Sequence, residues 1–256
     1  ESHRMFASRD GIVARSPEKV AQDIQRLAEK GYDQVSLGLD PAIMGPKFWK
    51  PLFAELRRRE VDIGIYNEHF QLPSRAFVED YVRTVDIARS ELALSLLSGS
   101  ERVRRLNGKF YSNKKLNQIL SLLKANQVPL FIYFSINLPG EDEEAFGQTL
   151  HLAQRIGRYY PPQLLKIINM MHTLDPCSPM SREPDRFSIE VHMRSFMDYY
   201  EYCRRTPAAR SEVAVGAGRG FTLNQGSQRS LAHMVQQWDK FRAGQEFTAI
   251  PVPETW

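Results

Sequence analysis

The sequence predicts an α/β fold, a partial (β/α) TIM-type barrel with about five parallel strands, and three observations predict it. The chain has 256 residues, a length at which single barrels are common. Amphipathic helical segments alternate with short segments that are apolar at nearly every position. Apolar strands of this kind are typical of a parallel sheet whose outer face is covered by helices.

The first predicted helix begins after Ser16, because an N-cap serine is followed by Pro17 and the acidic Glu18, and it ends at Gly31. The hydrophobic pattern then predicts strand 34–39, helix 47–59, strand 61–66, helix 74–88, strand 92–97, helix 113–126, strand 129–136, helix 143–159, strand 164–171 and helix 189–205. Because this series opens on a helix, we expect one further strand to precede Val35, missing from the front of the chain.

The sequence divides into two predicted regions. Residues 1–206 are expected to form the barrel core, without its first strand. Residues 207–256 are expected to form a linker, a helix over 230–242 and a proline-rich tail, because glycine and proline replace large apolar residues after position 206. The glycine-rich run 216–220 lacks the preceding strand and the Lys-Ser/Thr pair of a phosphate loop, so we interpret it as linker.

Composition excludes several classes of protein. With 42% hydrophobic residues, 25% charged residues and a net charge of +4, the chain is neither disordered nor collagen-like nor a coiled coil. The longest apolar stretch, 128–138, is shorter than the ~20 residues that cross a bilayer, so no membrane span is predicted. The positive charge is spread along the chain, which argues against a nucleic-acid partner. Cys177 and Cys203 lack the spacing of a disulfide framework or metal site, which favours a reducing, cytoplasmic setting.

Polar, turn-rich segments follow the predicted strands, where ligands bind in folds of this type. After the third strand stand Ser98, Gly99 and Ser100, followed by a short helix. Their hydroxyl and N–H groups suit an anion, although serine and glycine are also ordinary helix caps. After the fourth strand stands a second turn, which is made of Asn137, Leu138, Pro139, Gly140 and Glu141.

The two turns, about forty residues apart and separated by a helix and an apolar strand, resemble the radical S-adenosylmethionine (radical SAM) superfamily. The later segments 174–179 and 196–200 resemble the branch of that superfamily that carries a cobalamin-binding domain. The resemblance covers about residues 8–205.

The resemblance implies a (β/α) barrel with a 4Fe-4S cluster on a Cys-x3-Cys-x2-Cys loop. SAM binds the cluster and is cleaved to a 5′-deoxyadenosyl radical, or a methyl group is transferred through cobalamin. By position, the methionine part of SAM is expected at Ser98, Gly99 and Ser100, with Arg104 as a partner for its carboxylate. The segment near adenosine comprises Asn137, Leu138, Pro139 and Gly140. The strand 167–171 is expected near adenine.

This sequence departs from the family pattern in two ways. The three cluster cysteines are not present, and residues 1–15 resemble the segment that follows the cluster loop, so we expect those cysteines upstream of Glu1. The chain by itself is therefore not expected to perform the radical reaction. At Leu96 and Leu97 many relatives have a pair that contains glutamate, so one polar contact near the methionine end is in doubt.

The resemblance implies a small-molecule or peptide substrate and an electron donor such as flavodoxin or ferredoxin. Two other functions stay open. One is a barrel that binds SAM or another ligand without a cluster. The other is an unrelated TIM-barrel lyase or isomerase, in which Glu68 and His69 serve as a base or as metal ligands. Adjacent strand residues point to opposite sides, so Glu68 is retained as a catalytic candidate that faces the ligand. His172 is interpreted as structural, and strand register decides whether Tyr66 and Tyr133 face the lumen.

Overall fold

The computed structural model describes residues 14–37, 40–205, 220–224 and 228–252. The strands are β1 (Gln34–Leu37), β2 (Gly64–His69), β3 (Glu91–Leu97), β4 (Leu130–Ile136), β5 (Leu165–Met171), β6 (Ile189–Val191), β7 (Phe221–Leu223) and β8 (Thr248–Ile250). The helices are α1 (Pro17–Glu29), α2 (Pro46–Arg58), α3 (Arg75–Val82), α4 (Glu101–Leu106), α5 (Asn113–Ala125), α6 (Glu143–Tyr159), α7 (Pro179–Arg182), α8 (Phe196–Arg205) and α9 (Gln228–Arg242).

Six strands form one parallel sheet in the order β1-β2-β3-β4-β5-β8, and β6 and β7 form a separate antiparallel pair. The α/β fold of a partial TIM-type barrel is thereby confirmed. Consecutive strands from β1 to β5 are neighbours and parallel, so their carboxyl ends meet at one edge of the sheet.

Side-chain caps begin several of the helices. The hydroxyl of Ser16 accepts a hydrogen bond from the backbone N–H of Lys19, as the sequence predicts for α1. In the same way Asp142 accepts from the N–H of Ala145 at the start of α6, at 2.8 Å. The bounds of α6 agree with the predicted helix 143–159 because both its cap and its apolar stripe are local signals.

The main core lies between the sheet and the helices. Four aromatic rings fill it beside β2: Trp49, Phe53, Phe77 and Tyr81. The hydroxyl of Tyr81 donates to the carbonyl of Ile65 at 2.7 Å, so the one polar atom of this buried ring is satisfied. A smaller core, which includes Leu174 and Phe221, lies around β6 and β7.

Strand β2 occupies 64–69, whereas the sequence predicts 61–66, and that prediction was wrong by three residues. The cause is the end of α2: Glu60 adopts φ 51°, and the N–H of Val61 still bonds to the carbonyl of Leu56. The chain becomes a ladder strand only where Gly64 pairs with Gln34. As a result Glu68 and His69 lie inside the strand, not after it.

The predicted helix 189–205 is also wrong in its first part. Residues Ile189–Val191 form β6 and pair with β7, which lies in the segment predicted as linker. The helix begins only at Phe196, because the carboxylate of Asp198 accepts hydrogen bonds from the N–H groups of Arg194 and Ser195. The predicted helix 74–88 likewise ends at Val82, and a 3₁₀ turn follows at Ile87–Arg89.

The sheet gains a sixth strand from the predicted tail, because Thr248–Ile250 pairs with β5. Fully buried Trp238 on α9 donates its indole N–H to the carbonyl of Ile250 at 2.9 Å and so attaches this short strand. The division at residue 206 stays a prediction. The predicted additional strand, residues 1–13 and most of the glycine-rich run 216–220 lie outside the described residues.

Among the helices in the described ranges, none is long and apolar enough to cross a bilayer.

Replacing Gly64 tests the packing of β2 against the 3₁₀ turn. A Cβ at this position would lie 2.1 Å from the backbone carbonyl oxygen of Arg89, so Gly64→Ala is expected to destabilise the fold by about 1–3 kcal/mol. In the control Gly147→Ala on α6, the added Cβ meets nothing within 4 Å, and we expect stabilisation of about 0.5–1 kcal/mol. Urea unfolding measures both, and equal stability of Gly64→Ala and the parent chain would contradict the packing.

Candidate functional site

The candidate site lies at the carboxyl ends of β3 and β4, which are neighbours in the sheet. Both ends contain residues with positive φ: Leu97 at 66° after a register shift in β3, and Asn137 at 71° and Gly140 at 74° after β4. Backbone of this kind exposes N–H and carbonyl groups that a continuing ladder would occupy. The structure therefore places the two turns that the sequence singled out side by side.

The turn Ser98-Gly99-Ser100 is fixed against helix α6. The N–H of Gly99 donates to the Thr149 hydroxyl at 2.9 Å, and the Ser98 hydroxyl lies 3.2 Å from the same atom. A Cβ on Gly99 would lie 2.3 Å from the carbonyl oxygen of Gln148, so only glycine allows this approach. The Ser98 hydroxyl also accepts from the N–H of Ser100 at 3.1 Å. The turn is therefore rigid before any ligand binds.

Arg104 was predicted as a partner for the SAM carboxylate, and the structure places it beneath the turn. Its side chain is fully buried. One terminal nitrogen donates to the carbonyl of Ser98 at 2.8 Å, and the other donates to the Asn113 side chain at 2.7 Å. Its guanidinium lies 5.1 Å from the ring centre of Tyr111, and burial lowers its pKa. Arg104 positions the turn, and its direct contact with a carboxylate stays a prediction.

Glu141 organises the second turn. Its Oε2 accepts hydrogen bonds from the N–H groups of Asn137 at 2.8 Å and Leu138 at 3.3 Å. Its Oε1 is buried and has no partner among the described residues. Burial raises the pKa of Glu141 to about 8, against the smaller opposing effect of the two backbone hydrogen bonds. The carboxyl group is therefore mostly protonated at neutral pH, with Oε2 as the acceptor.

The two turns form one unit because helix α4 binds both. Arg102 donates to the carbonyl of Gly140 at 2.9 Å and to the carboxylate of Asp142 at 2.7 Å. The side chain of Asn107 donates to the carbonyl of Pro139 at 3.0 Å. Beneath these contacts a small apolar cluster joins the turns, made of Leu97, Val103, Leu138 and Ala145.

Lys109 is a site residue that the sequence analysis missed. Its ammonium group donates to the carbonyl of Phe70, just beyond the carboxyl end of β2, and lies 5.6 Å from the centre of that ring. The side chain of Gln71 donates to the carbonyl of Gly108 at 2.8 Å and holds the same loop. Burial lowers the pKa of Lys109 to about 8, although the charge of Glu68 opposes the shift. No local motif marks this residue, because contacts across more than thirty positions place it.

Glu68 and His69 point to opposite faces of β2, so the structure does not bring them together. Imidazole Nδ1 of His69 lies 2.9 Å from the buried carboxylate of Asp40, and Nε2 lies 2.8 Å from the amide nitrogen of Asn67. Its ring packs edge-on against Phe77. Glu68 lies on the other face, partly exposed, and burial raises its pKa. Its catalytic role stays a prediction.

The remaining predicted contacts concern β5 and the end of β3. Ile167 packs into the main core, while Ile168 and Met170 face the other side of the sheet. The contact of this strand with adenine stays a prediction. Leu96 is buried in the main core, so it leaves no polar group near the turn. His172 is partly exposed; burial of its imidazole lowers its pKa, and its ring centre lies 6.2 Å from that of Phe221.

A metal cluster does not fit the residues that the structure describes. No group of three or more His, Cys, Asp or Glu side chains in that part of the chain could hold a metal ion. Cys177 is a free thiol in the loop after β5. The ligands of an iron-sulfur cluster are thus not among the described residues.

The buried carboxyl of Glu141 makes stability depend on pH. Its pKa lies above the ordinary value of 4.5, so its stabilising effect is complete below about pH 4.5 and is lost as the pH rises towards 8. We expect the stability of the parent chain relative to Glu141→Gln to fall from about pH 5 to about pH 8, by at most about 1.4 kcal/mol per unit. Urea unfolding at both pH values measures this difference. The exposed control Glu144→Gln should show no such trend, and a pH-independent difference for Glu141→Gln would contradict the assignment.

Comparison with known proteins identifies relatives of this chain. A family model described as the Radical SAM superfamily matches residues 3–153. A tRNA-2-methylthio-N(6)-dimethylallyladenosine synthase of Thermoanaerobacter pseudethanolicus is 26% identical over 152 residues, which are 56% of this chain and 32% of that protein. The corresponding synthase of Clostridium botulinum is 21% identical over 212 residues, 79% of this chain and 46% of that protein. The chain therefore spans about a third to a half of these relatives.

Two solved structures share the fold. The radical S-adenosylmethionine methyltransferase TsrM of Kitasatospora setae, solved with cobalamin and a 4Fe-4S cluster, has a TM-score of 0.55 at 12% identity; the match covers 71% of this chain and 35% of TsrM. Streptococcus suis SuiB bound to S-adenosylmethionine has a TM-score of 0.50 at 10% identity, over 96% of this chain and 45% of SuiB. The family match covers more than half of the sequence, and the chain belongs to the radical SAM superfamily of enzymes.

Proposed function

We propose that this chain is the greater part of a radical SAM barrel that binds SAM at the carboxyl ends of β3 and β4. The enzyme to which it belongs would cleave SAM reductively and transform an unactivated carbon of a small molecule or peptide. The observation that carries the proposal is the rigid pair of turns that Arg102, Arg104 and Glu141 hold side by side. A site organised before binding loses little conformational entropy when the ligand binds.

The residues present fit the SAM molecule. A methionine carboxylate needs a cation with unused donors, and Lys109 uses one of its three N–H donors on Phe70 while the terminal nitrogens of Arg104 are engaged by the protein. We therefore assign the carboxylate to Lys109, which binds the loop after β2, the strand next to β3. We assign the adenosine part to the segment 137–140, whose backbone Glu141 holds in shape before a ligand binds.

When bound, SAM and a reduced 4Fe-4S cluster supply the radical chemistry of this superfamily. The described residues do not include the cluster ligands, so we expect those upstream of Glu1. This chain's own residues bind and orient. Arg104 and Thr149 hold the first turn, neutral Glu141 holds the second, and the apolar cluster around Leu138 excludes water beneath both.

The substrate, the cobalamin and the partners belong to the proposal. The relatives named above are tRNA-2-methylthio-N(6)-dimethylallyladenosine synthases. Their names count against the prediction that nucleic acid is not a partner. We retain a small molecule or peptide as substrate, with RNA as the alternative. Cobalamin-dependent methyl transfer is the finer form of the proposal, and likeness in fold to TsrM supports it. The proposal also includes an electron donor, a flavodoxin or ferredoxin, and a cytoplasmic location.

Binding of S-adenosylhomocysteine tests the assignment of Lys109. This analogue has the carboxylate and adenosine of SAM and is measured by calorimetry on the chain itself. We expect Lys109→Met to weaken binding by about tenfold or more, since a charged hydrogen bond of about 1.5–3 kcal/mol is removed. The control Lys115→Met replaces an exposed lysine on α5 and should bind as the parent does. Unchanged binding by Lys109→Met would refute the assignment.

The gene itself tests the radical mechanism. We expect Cys-x3-Cys-x2-Cys to be encoded within about 20 codons upstream of Glu1, since that spacing supplies three thiolates to a 4Fe-4S cluster. Sequencing the intact gene checks this, and anaerobic reconstitution of the longer protein should then yield the cluster. A gene without the triplet would exclude the radical mechanism and leave a ligand-binding barrel.

A further inference from the structure

The face of the sheet opposite the helices has a polar surface that SAM binding leaves unexplained. On β2 the residues Tyr66 and Glu68 are partly exposed on this face, while the preceding Ile65 faces the other way and packs in the helix-side core. On β4 the partly exposed residues are Phe131 and Tyr133. Since β2 and β4 both neighbour β3, their long side chains can meet over it.

Tyr66 and Tyr133 do meet, with their hydroxyl oxygens 3.1 Å apart. The register pairs Tyr66 with Glu91 and Tyr133 with Ser95, so Ala93 of β3 lies midway between the two rings. Ala93 is fully buried although it is not part of the helix-side core, which is consistent with the rings above it. One phenol proton makes the contact, and the other is available to a ligand.

A second contact closes the amino end of the same face. Lys166 of β5 forms an ion pair with Glu91 of β3 at 2.6 Å, and its ammonium lies 5.9 Å from the ring centre of Phe131. The Phe131 ring in turn packs on Tyr133 with centroids 4.3 Å apart. The charged groups at this end are thus paired with each other. We call the rings of Tyr66, Phe131 and Tyr133 the aromatic floor of this face.

Glu68 is different, because its carboxylate makes no hydrogen bond and no ion pair with any residue in the described ranges. It lies towards the carboxyl end of β2, and the register places it level with Ala93 of β3 and Phe131 of β4, beside the aromatic rings. Lys109 interacts with it electrostatically but donates to Phe70 and is not within 4.0 Å of the carboxylate. A carboxylate on this face without a direct partner among the described residues can bind a cation.

The geometry points to Glu68, with the Tyr66–Tyr133 pair and Phe131 beside it, as the substrate-recognition surface for a protonated amine carried on a planar ring. The ring would pack on the aromatic floor, the ammonium would bind the carboxylate of Glu68, and the free phenol proton would donate to a nearby acceptor. This inference rests on the proposed function in that it gives the substrate class for the same barrel.

Three matched probes test the inference on the chain as it exists: 2-phenylethylamine, 2-phenylethanol and phenylacetate share a ring and differ in charge. Ligand-observed NMR titration measures their dissociation constants. We expect the amine to bind at least fivefold more tightly than the alcohol, and the acid to bind most weakly. In Glu68→Gln the preference for the amine should be lost, while the control Glu190→Gln, an exposed carboxylate on β6, should retain it. Tyr133→Leu, which removes the ring, should weaken all three probes without removing the order.

Several results would overturn the inference: no binding of the amine, equal binding of amine and alcohol by the parent chain, or retention of the preference in Glu68→Gln. Even if a variant does not fold, the dissociation constants of the three probes for the parent chain test the inference. S-adenosylhomocysteine is titrated into the same samples. Loss of its binding in Glu68→Gln would assign Glu68 to the SAM site instead, and no binding by the parent chain would refute the proposed function separately.

Discussion

The buried guanidinium of Arg104 is the interaction on which the candidate site depends. It connects the end of β3, through the carbonyl of Ser98, to the start of α5, through the side chain of Asn113. A buried cation without partners would cost several kcal/mol, so the carbonyl groups must converge on it for the fold to be stable. That requirement dictates the shape of the Ser98-Gly99-Ser100 turn. Ligand groups then meet a surface whose geometry was decided by the core beneath it.

Helix α6 supplies the other half of the constraint. Gly99 approaches its backbone so closely that no side chain fits, and Thr149 receives the N–H group that would otherwise be unpaired. The same helix begins at Asp142, which caps it and binds Arg102 of α4. One helix therefore fixes both turns. Because each contact satisfies a buried polar group, a change at one is expected to move the other.

Charge is distributed unevenly around this arrangement. Glu141, beneath the second turn, is held neutral by burial, whereas Lys109, which is also buried, has a pKa lowered to about 8. Glu68 faces the lumen without a direct partner among the described residues. The side chains that shape the two turns are thus engaged by the protein, whereas Lys109 and Glu68 have unused hydrogen-bonding capacity. Such an arrangement suits a site that must hold its ligand in a fixed orientation before the reaction begins.

The sequence by itself determined the alternation of helices and strands, helix α6 with its cap, the two turns and the resemblance to the superfamily, because each depends on residues close together in the chain. Three-residue strands were not predictable: β6, β7 and β8 are too short for periodicity and exist only through their partners. Tertiary structure alone decided the rest. It placed Lys109 beside Phe70, made Arg104 a support for the turn, and brought Tyr66 to Tyr133 over Ala93. Each of these depends on which backbone groups become buried and on strand register, and neither is encoded by a local pattern.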